Sequence, residues 1–294
     1  MTDGPFPVAI VGVGNMGAAM AQRLLAQGWP VHVSDLVAER SQALARAGAT
    51  AHARGAEAAQ AARATILCVV DADQCRDVLF GAGGVAPAVR LGHTVLLCPT
   101  MEPAAVQDIA QALRPHGVFC IDAPMSGGPV RARDGTMSLM VACDNLVFER
   151  HRSLIETLSS HVFRISEQLG DGARTKLVNN LAAGIHLVAS AEVLALAQRL
   201  GLDQARTLDV IEQSSGQCWI GSDRMRRAIA GDYAPRAHMT LLAKDTRLAV
   251  QAAADAGFAG PLGTVVRDVF ADACAGGLSD ADDAALLKWL TQDR

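Results

Sequence analysis

The sequence predicts a doubly wound α/β sheet followed by an all-α domain, and three observations carry that prediction. A short apolar run, Pro7 to Val11, passes into Gly12-Val13-Gly14-Asn15-Met16-Gly17 and then into Ala18 to Gln27, a stretch of helical composition that stops at Gly28. Strand-like runs then recur at Val31 to Ser34, Thr65 to Val70, Thr94 to Leu97, Val118 to Ile121, Met137 to Val141 and Val162 to Ile165, with helical or loop segments between them. That alternation is the pattern of a mainly parallel sheet. No strand signal returns afterwards, and helices are expected at about Ala173 to Leu200, Asp203 to Gln213, Met239 to Ala256, Leu262 to Ala275 and Ala281 to Leu290. A chain of 294 residues is long for one core at ~150 residues per domain. The division is expected at 166/167, a sheet domain over 1–166 and a helical domain over 167–294 that opens with a long interdomain helix.

Composition narrows the partners. A net charge of −4 and a pI near 6 offer no basic field for nucleic acid or an anionic membrane, so a small molecule is expected. The seven cysteines are odd in number, widely spaced and never in C-x-x-C, which points to free thiols in a reducing, cytoplasmic setting. Neither H-E-x-x-H nor any other zinc spacing occurs, and no metal is expected. Val8 to Val13 is too short, and lacks the basic flank, for a signal peptide. Leu181 to Leu200 is apolar enough to consider as a membrane span, but His186, Glu192, Gln198 and Arg199 interrupt it.

The glycine turn has a specific chemistry. Gly12 allows a tight turn, Gly14 lets a pyrophosphate approach the backbone, and Gly17 lets the helix pack on the strand, while Asn15 and Met16 place the first helical N–H groups towards the phosphates. Context strengthens an otherwise weak motif. The second strand ends at Asp35, eighteen residues beyond Gly17, where a carboxylate accepts the ribose hydroxyls. Asp35 argues for NAD, since a 2′-phosphate would meet its charge and the next residue, Leu36, cannot neutralise it. The fold is thus of the Rossmann type, with NAD as the expected cofactor.

Further candidates lie at strand ends and in the central helix. Thr100, in the loop after Leu97, is placed to touch the nicotinamide ribose or to cap the helix near Pro103. Ser126-Gly127-Gly128 is a turn without bulky side chains, able to hold a carboxylate on consecutive N–H groups, with Arg131 and Arg133 close by; read plainly, it is only a tight loop. Gly170 and Gly172 give a flexible lead into the long helix, where Lys176 and Asn180 share a face four residues apart. A lysine near a helix start is ordinarily solvated. Farther along, Leu181, Ile185, Leu187, Val188, Val193, Leu194 and Leu196 cannot fit one stripe, so this helix is expected between domains or subunits. Glu192 among them is expected to be a paired structural carboxylate.

These segments, in their order and spacing, resemble the β-hydroxyacid dehydrogenase family, and within it the 3-hydroxyisobutyrate dehydrogenases. The resemblance implies that Lys176 is the catalytic lysine, Asn180 its amide partner, Ser126, Gly127 and Gly128 the substrate-carboxylate site, and Thr100 a cofactor contact. It continues through Ser214-Ser215-Gly216-Gln217-Cys218-Trp219, which places Trp219 on the substrate side, and Lys244-Asp245, a pair near the nicotinamide. The short stretch from Asp223 to Arg236 departs from the 3-hydroxyisobutyrate pattern and is similar to L-threonate dehydrogenase. The implied reaction is NAD-dependent oxidation of a β-hydroxy carboxylate, 3-hydroxyisobutyrate ahead of L-serine and L-threonate, in a homodimer or homotetramer. Two rivals stand beside it: a non-catalytic NAD-binding module, and an imine reductase, whose relatives carry another residue in place of the lysine.

Overall fold

The computed structural model describes residues 4–292. It comprises two compact units, the first running to Lys176 and the second from Leu177 onward, and the boundary falls inside one continuous helix.

In the first unit β1 (Val8–Val11) is the hub. It pairs in parallel with β2 (Val31–Ser34) on one side, outside which lies the two-residue β3 (Thr50–Ala51), and with β4 (Ala64–Leu67) on the other, followed by β5 (Thr94–Leu97) and β6 (Phe119–Asp122). The order 3-2-1-4-5-6 reverses direction at β1, so the crevice for a ligand opens at its carboxyl end. Beyond β6 the sheet becomes mixed: β7 (Met125–Ser126) and β6 both run antiparallel to β8 (Ser138–Ala142), and β9 (His161–Ser166) adds in parallel to β8. The central strands β1, β4 and β5 are buried at every residue because both faces are covered. Ile10, Ile66 and Leu96 enter one core while their neighbours Val11, Leu67 and Leu97 enter the other. The first core is closed by α1 (Asn15–Ala26) and α8 (Asn145–Leu158), the second by α4 (Ala72–Phe80) and α6 (Pro103–Leu113).

The second unit contains no strand among the described residues. Most of the helix Asp171–Arg199 belongs to it and packs with Trp219–Ile229, Met239–Asp255 and Gly263–Ala273 around Leu187, Leu194, Met225, Met239 and Phe270. Gly184 permits this closeness, since a Cβ there would lie 2.8 Å from Thr246 Cγ2. The Asp171–Arg199 helix has the length and apolarity of a membrane span, yet Leu187, Ala191 and Leu194 are fully buried in this core. Val193 and Leu196 face outward at 44% and 55% exposure. Glu192, expected to need a partner, is a surface residue for which burial creates no such need. The helix Trp219–Ile229 was not expected: its Gly221, Ser222 and three arginines obscure any apolar period, and Gly221 is needed because a Cβ would strike Ser190 Oγ. The expected helix at Ala281 to Leu290 begins instead as a 3-10 turn, Asp283–Ala285, capped by Asp282.

Candidate functional site

The glycine turn at the end of β1 is built as its spacing requires. Gly12 has φ +88°, donates to Ser34 O at 2.9 Å, and has Cys68 O 2.7 Å from where a Cβ would stand. At Gly17 a Cβ would fall 2.0 Å from Gly12 O, so the helix touches the turn only because residue 17 lacks one. Gly14 differs: nothing lies within 4 Å of its Cβ position. It is the N-cap of a 12-residue helix that has no side-chain cap and no acidic residue in its first turn, the one starting with Asn15 and Met16. Open space before uncapped N–H groups is what a dinucleotide phosphate needs, so these residues fit NAD.

Asp35 is fixed by the backbone. Its Oδ2 accepts from Val13 N at 2.7 Å and its Oδ1 from Val37 N at 2.9 Å, which aims the carboxylate beside the glycine turn. Leu36 is fully exposed, but an arginine does reach this corner: Arg40 Nη1 lies 3.5 Å from Asp35 Oδ1. Its signal in the sequence was its place in the first turn of the next helix, Ala38–Ala45. Thr100 stands half-buried after β5, and Glu102 holds the N-cap position of α6, so Thr100 is not that cap.

The Ser126–Gly128 turn has two consecutive left-handed glycines, φ +124° and +75°, which no pair of side-chain-bearing residues adopts readily. Of the two nearby arginines, Arg133 is directed elsewhere, donating from Nε to Gln22 Oε1 at 2.8 Å, while Arg131 packs its stem over Gly127.

The lead into the long helix is rigid, contrary to the flexible role expected of its glycines. Gly170 has φ +99°, and a Cβ on Gly172 would sit 2.8 Å from Met140 O and 2.9 Å from the Asp122 carboxylate. Asp122 Oδ2 accepts from Gly170 N at 2.9 Å and from Ala173 N at 3.0 Å. Burial raises its pKa to about 6 against the pull of those amides. The sequence hinted at this only as an acid closing an apolar strand. Lys176 follows on this helix and is 7% exposed, which rules out an ordinary solvated lysine.

In the second unit Asn180, also 7% exposed, has both ends of its amide fixed: Nδ2 donates to Asp245 Oδ2 at 2.5 Å, and Oδ1 accepts from Asn179 at 3.0 Å. Lys244 Nζ lies 3.3 Å from Asp245 Oδ1, an ion pair without hydrogen-bond alignment, so that buried oxygen retains acceptor capacity. Trp219 starts its helix at 55% exposure, behind Cys218, whose thiol accepts the Gly221 N–H. Lys176 and Asn180 thus stand one turn apart on one helix.

Known proteins match along the chain. The NAD-binding domain of 6-phosphogluconate dehydrogenase matches residues 7–166, and the domain described as NAD-binding of NADP-dependent 3-hydroxyisobutyrate dehydrogenase matches residues 170–290. L-threonate dehydrogenase of Escherichia coli O6:H1 is 34% identical, covering 98% of this chain and 95% of its own. Mouse mitochondrial 3-hydroxyisobutyrate dehydrogenase is 28% identical, covering 98% and 88%. A crystal structure of 3-hydroxyisobutyrate dehydrogenase from Salmonella typhimurium superposes with a TM-score of 0.91 at 35% identity, covering 97% of this chain and 99% of that one.

Proposed function

The chain belongs to the β-hydroxyacid dehydrogenase family, with NAD as its cofactor, and on that premise we propose that it oxidises a small carboxylate bearing a hydroxyl on its β carbon. The observation that carries this reading is the burial of Lys176 and Asn180 one turn apart on a rigidly started helix. NAD+ supplies the two-electron acceptor. Lys176 takes the hydroxyl proton in oxidation and returns it in reduction. Asn180, its amide fixed by Asp245, orients the reacting oxygen. The Ser126–Gly128 turn holds the carboxylate on backbone N–H groups, which sets the carbon presented for reaction. Asp35 favours NAD over NADP, and Thr100 and Lys244 line the cofactor. L-Threonate comes first among substrates to test, because the short Asp223–Arg236 stretch and the 34% identical relative both point that way; 3-hydroxyisobutyrate is the second reading, favoured by the Salmonella structure. A cytoplasmic location fits seven free cysteines, and a homodimer or homotetramer would cover Val193 and Leu196.

Kinetics with a panel of hydroxy acids, each with NAD and NADP, test the substrate and cofactor. Lys176→Ala should lower kcat by at least about 100-fold with NAD binding unchanged, the lower bound for a positioned acid/base. Lys176→Arg should not restore turnover, because a guanidinium stays protonated. Near-normal turnover in folded Lys176→Ala overturns the mechanism.

A further inference from the structure

We propose that Asp122 is a positioning residue for this reaction: from the end of β6 its carboxylate holds the start of the Lys176 helix and the Ser126–Gly128 turn in one fixed relation. The inference rests on the reading of Lys176 as proton carrier.

The residue before that helix, Gly170, has no side chain to cap its first amides. Asp122 takes the place of the cap from 48 residues away, accepting the Gly170 and Ala173 N–H groups on one oxygen while 1% exposed. Lys176 lies three residues past Ala173, less than one turn, so the direction of its side chain follows the seat of those amides. Towards the other side, Asp122 is four residues from Ser126 through a short connection held at both ends. Ala123 N donates to Leu97 O at 2.9 Å, and Met140 N donates to Pro124 O at 3.0 Å. The backbone leading to the turn is thus anchored to its neighbouring strands, and the carboxylate seats the helix start against that anchored frame. Gly172 shows how closely the seat is fitted, since its Cβ position is 2.9 Å from the carboxylate.

Alternative duties explain the residue less well. Asp171 and the thiols of Cys98, Cys120 and Cys143 surround it, and burial lifts its pKa to about 6, so the ionised form is held there at a cost. Stability alone is better served by a neutral group.

The test measures kcat, KM for the best hydroxy acid, NAD affinity and Tm for Asp122→Asn and Asp122→Ala, each well below its own Tm. Misplacing a reacting group by about 1 Å costs on the order of 100-fold, so Asp122→Ala should lose about that in kcat/KM, through both kcat and KM. NAD affinity should stay within about twofold, as the phosphate turn does not depend on Asp122. Asp122→Asn keeps one neutral acceptor and should fall between, at about 10-fold. If Asp122→Ala does not fold, Gly172→Ala supplies the second variant, driving a methyl into the seat with the carboxylate kept, and should show the same paired loss. A lowered Tm with kcat and KM unchanged in the folded variants overturns the inference. Lys176→Ala is assayed in parallel: if it is inactive while the Asp122 variants match the wild type, only the positioning role falls, and if it keeps turnover both fall.

Discussion

Asp122 in the first unit and the adjacent Asp282 and Asp283 in the second are all but inaccessible, at 1%, 0% and 1% exposure, and each is compensated differently. Asp122 has backbone amides and no guanidinium, and burial raises its pKa to about 6. Asp283 has a guanidinium, Arg224 Nε at 2.5 Å, and burial, aided by the neighbouring Asp282, again raises it to about 6. Asp282 has both. Its oxygens accept from the amides of Arg236, Ala237 and Ala284 at 2.7 to 3.2 Å and from Arg227 Nη1 at 3.0 Å, and its pKa is lowered although burial, the largest influence, pushes the other way. Oriented amides and a cation must act together to outweigh desolvation here.

The largest expected effect comes from breaking the fully compensated member. Arg227→Ala strands Asp282 without its cation and also frees Ala234 O, so unfolding free energy should fall by about 3 to 5 kcal/mol. Urea titration at pH 7 measures it, and a loss below about 1 kcal/mol would mean that the amides suffice alone.

The first unit carries an acid-sensitive pair that works against Asp122. His93 Nε2 bonds Thr65 Oγ1 at 2.8 Å and His151 Nε2 bonds Thr94 Oγ1 at 2.7 Å, and the Nδ1 of His151 lacks a hydrogen-bond partner. Burial, helped by nearby arginines, lowers both from 6.5 to about 4. A neutral imidazole depressed in this way stabilises the fold above 6.5 and loses that contribution as pH falls to 4, about 3 kcal/mol each at roughly 1.4 kcal/mol per pH unit. His93→Gln and His151→Gln should flatten the acid slope of stability between those limits.

Asp122 and Asp282 should respond to pH with opposite signs. For Asp122, whose folded pKa is raised from 3.8 to about 6, stabilisation is complete below 3.8 and lost as pH rises through 6. Asp122→Asn should therefore gain up to about 3 kcal/mol relative to wild type between pH 4 and 7. Asp282→Asn should instead be less stable by a constant amount over that range, since a depressed carboxylate stabilises fully above 3.8 and loses that contribution only as pH falls below it. Parallel slopes in chemical denaturation would refute the contrast. The smallest effect is expected at Arg152, which bridges Glu149 and Glu156 on the surface of α8 with two ion pairs but little desolvation. Arg152→Ala should leave Tm unmoved within experimental error.

What the sequence determined by itself is local. The Gly12–Gly17 turn, Asp35 after the second strand, the doubly wound sheet implied by alternating elements, and Lys176 with Asn180 on one helical face are legible because each depends on spacing within a few tens of residues. The tertiary structure decided whatever depends on approach between distant segments. Nothing near Gly170 announces that Asp122 caps its helix, because the partners are 48 residues apart. The helix Trp219–Ile229 is held by Ile220, Met225 and Ala228 in the second unit's core, where Ser190 leaves room only for a glycine at 221, and by Arg227 finding Asp282 across 55 residues, neither of which periodicity records. Arg40 was hidden for the opposite reason: it is near Asp35 in sequence, but one turn of helix was needed to bring it to 3.5 Å. A charge in the sequence carries its sign, and only the packed surroundings decide what that charge costs and what it holds in place.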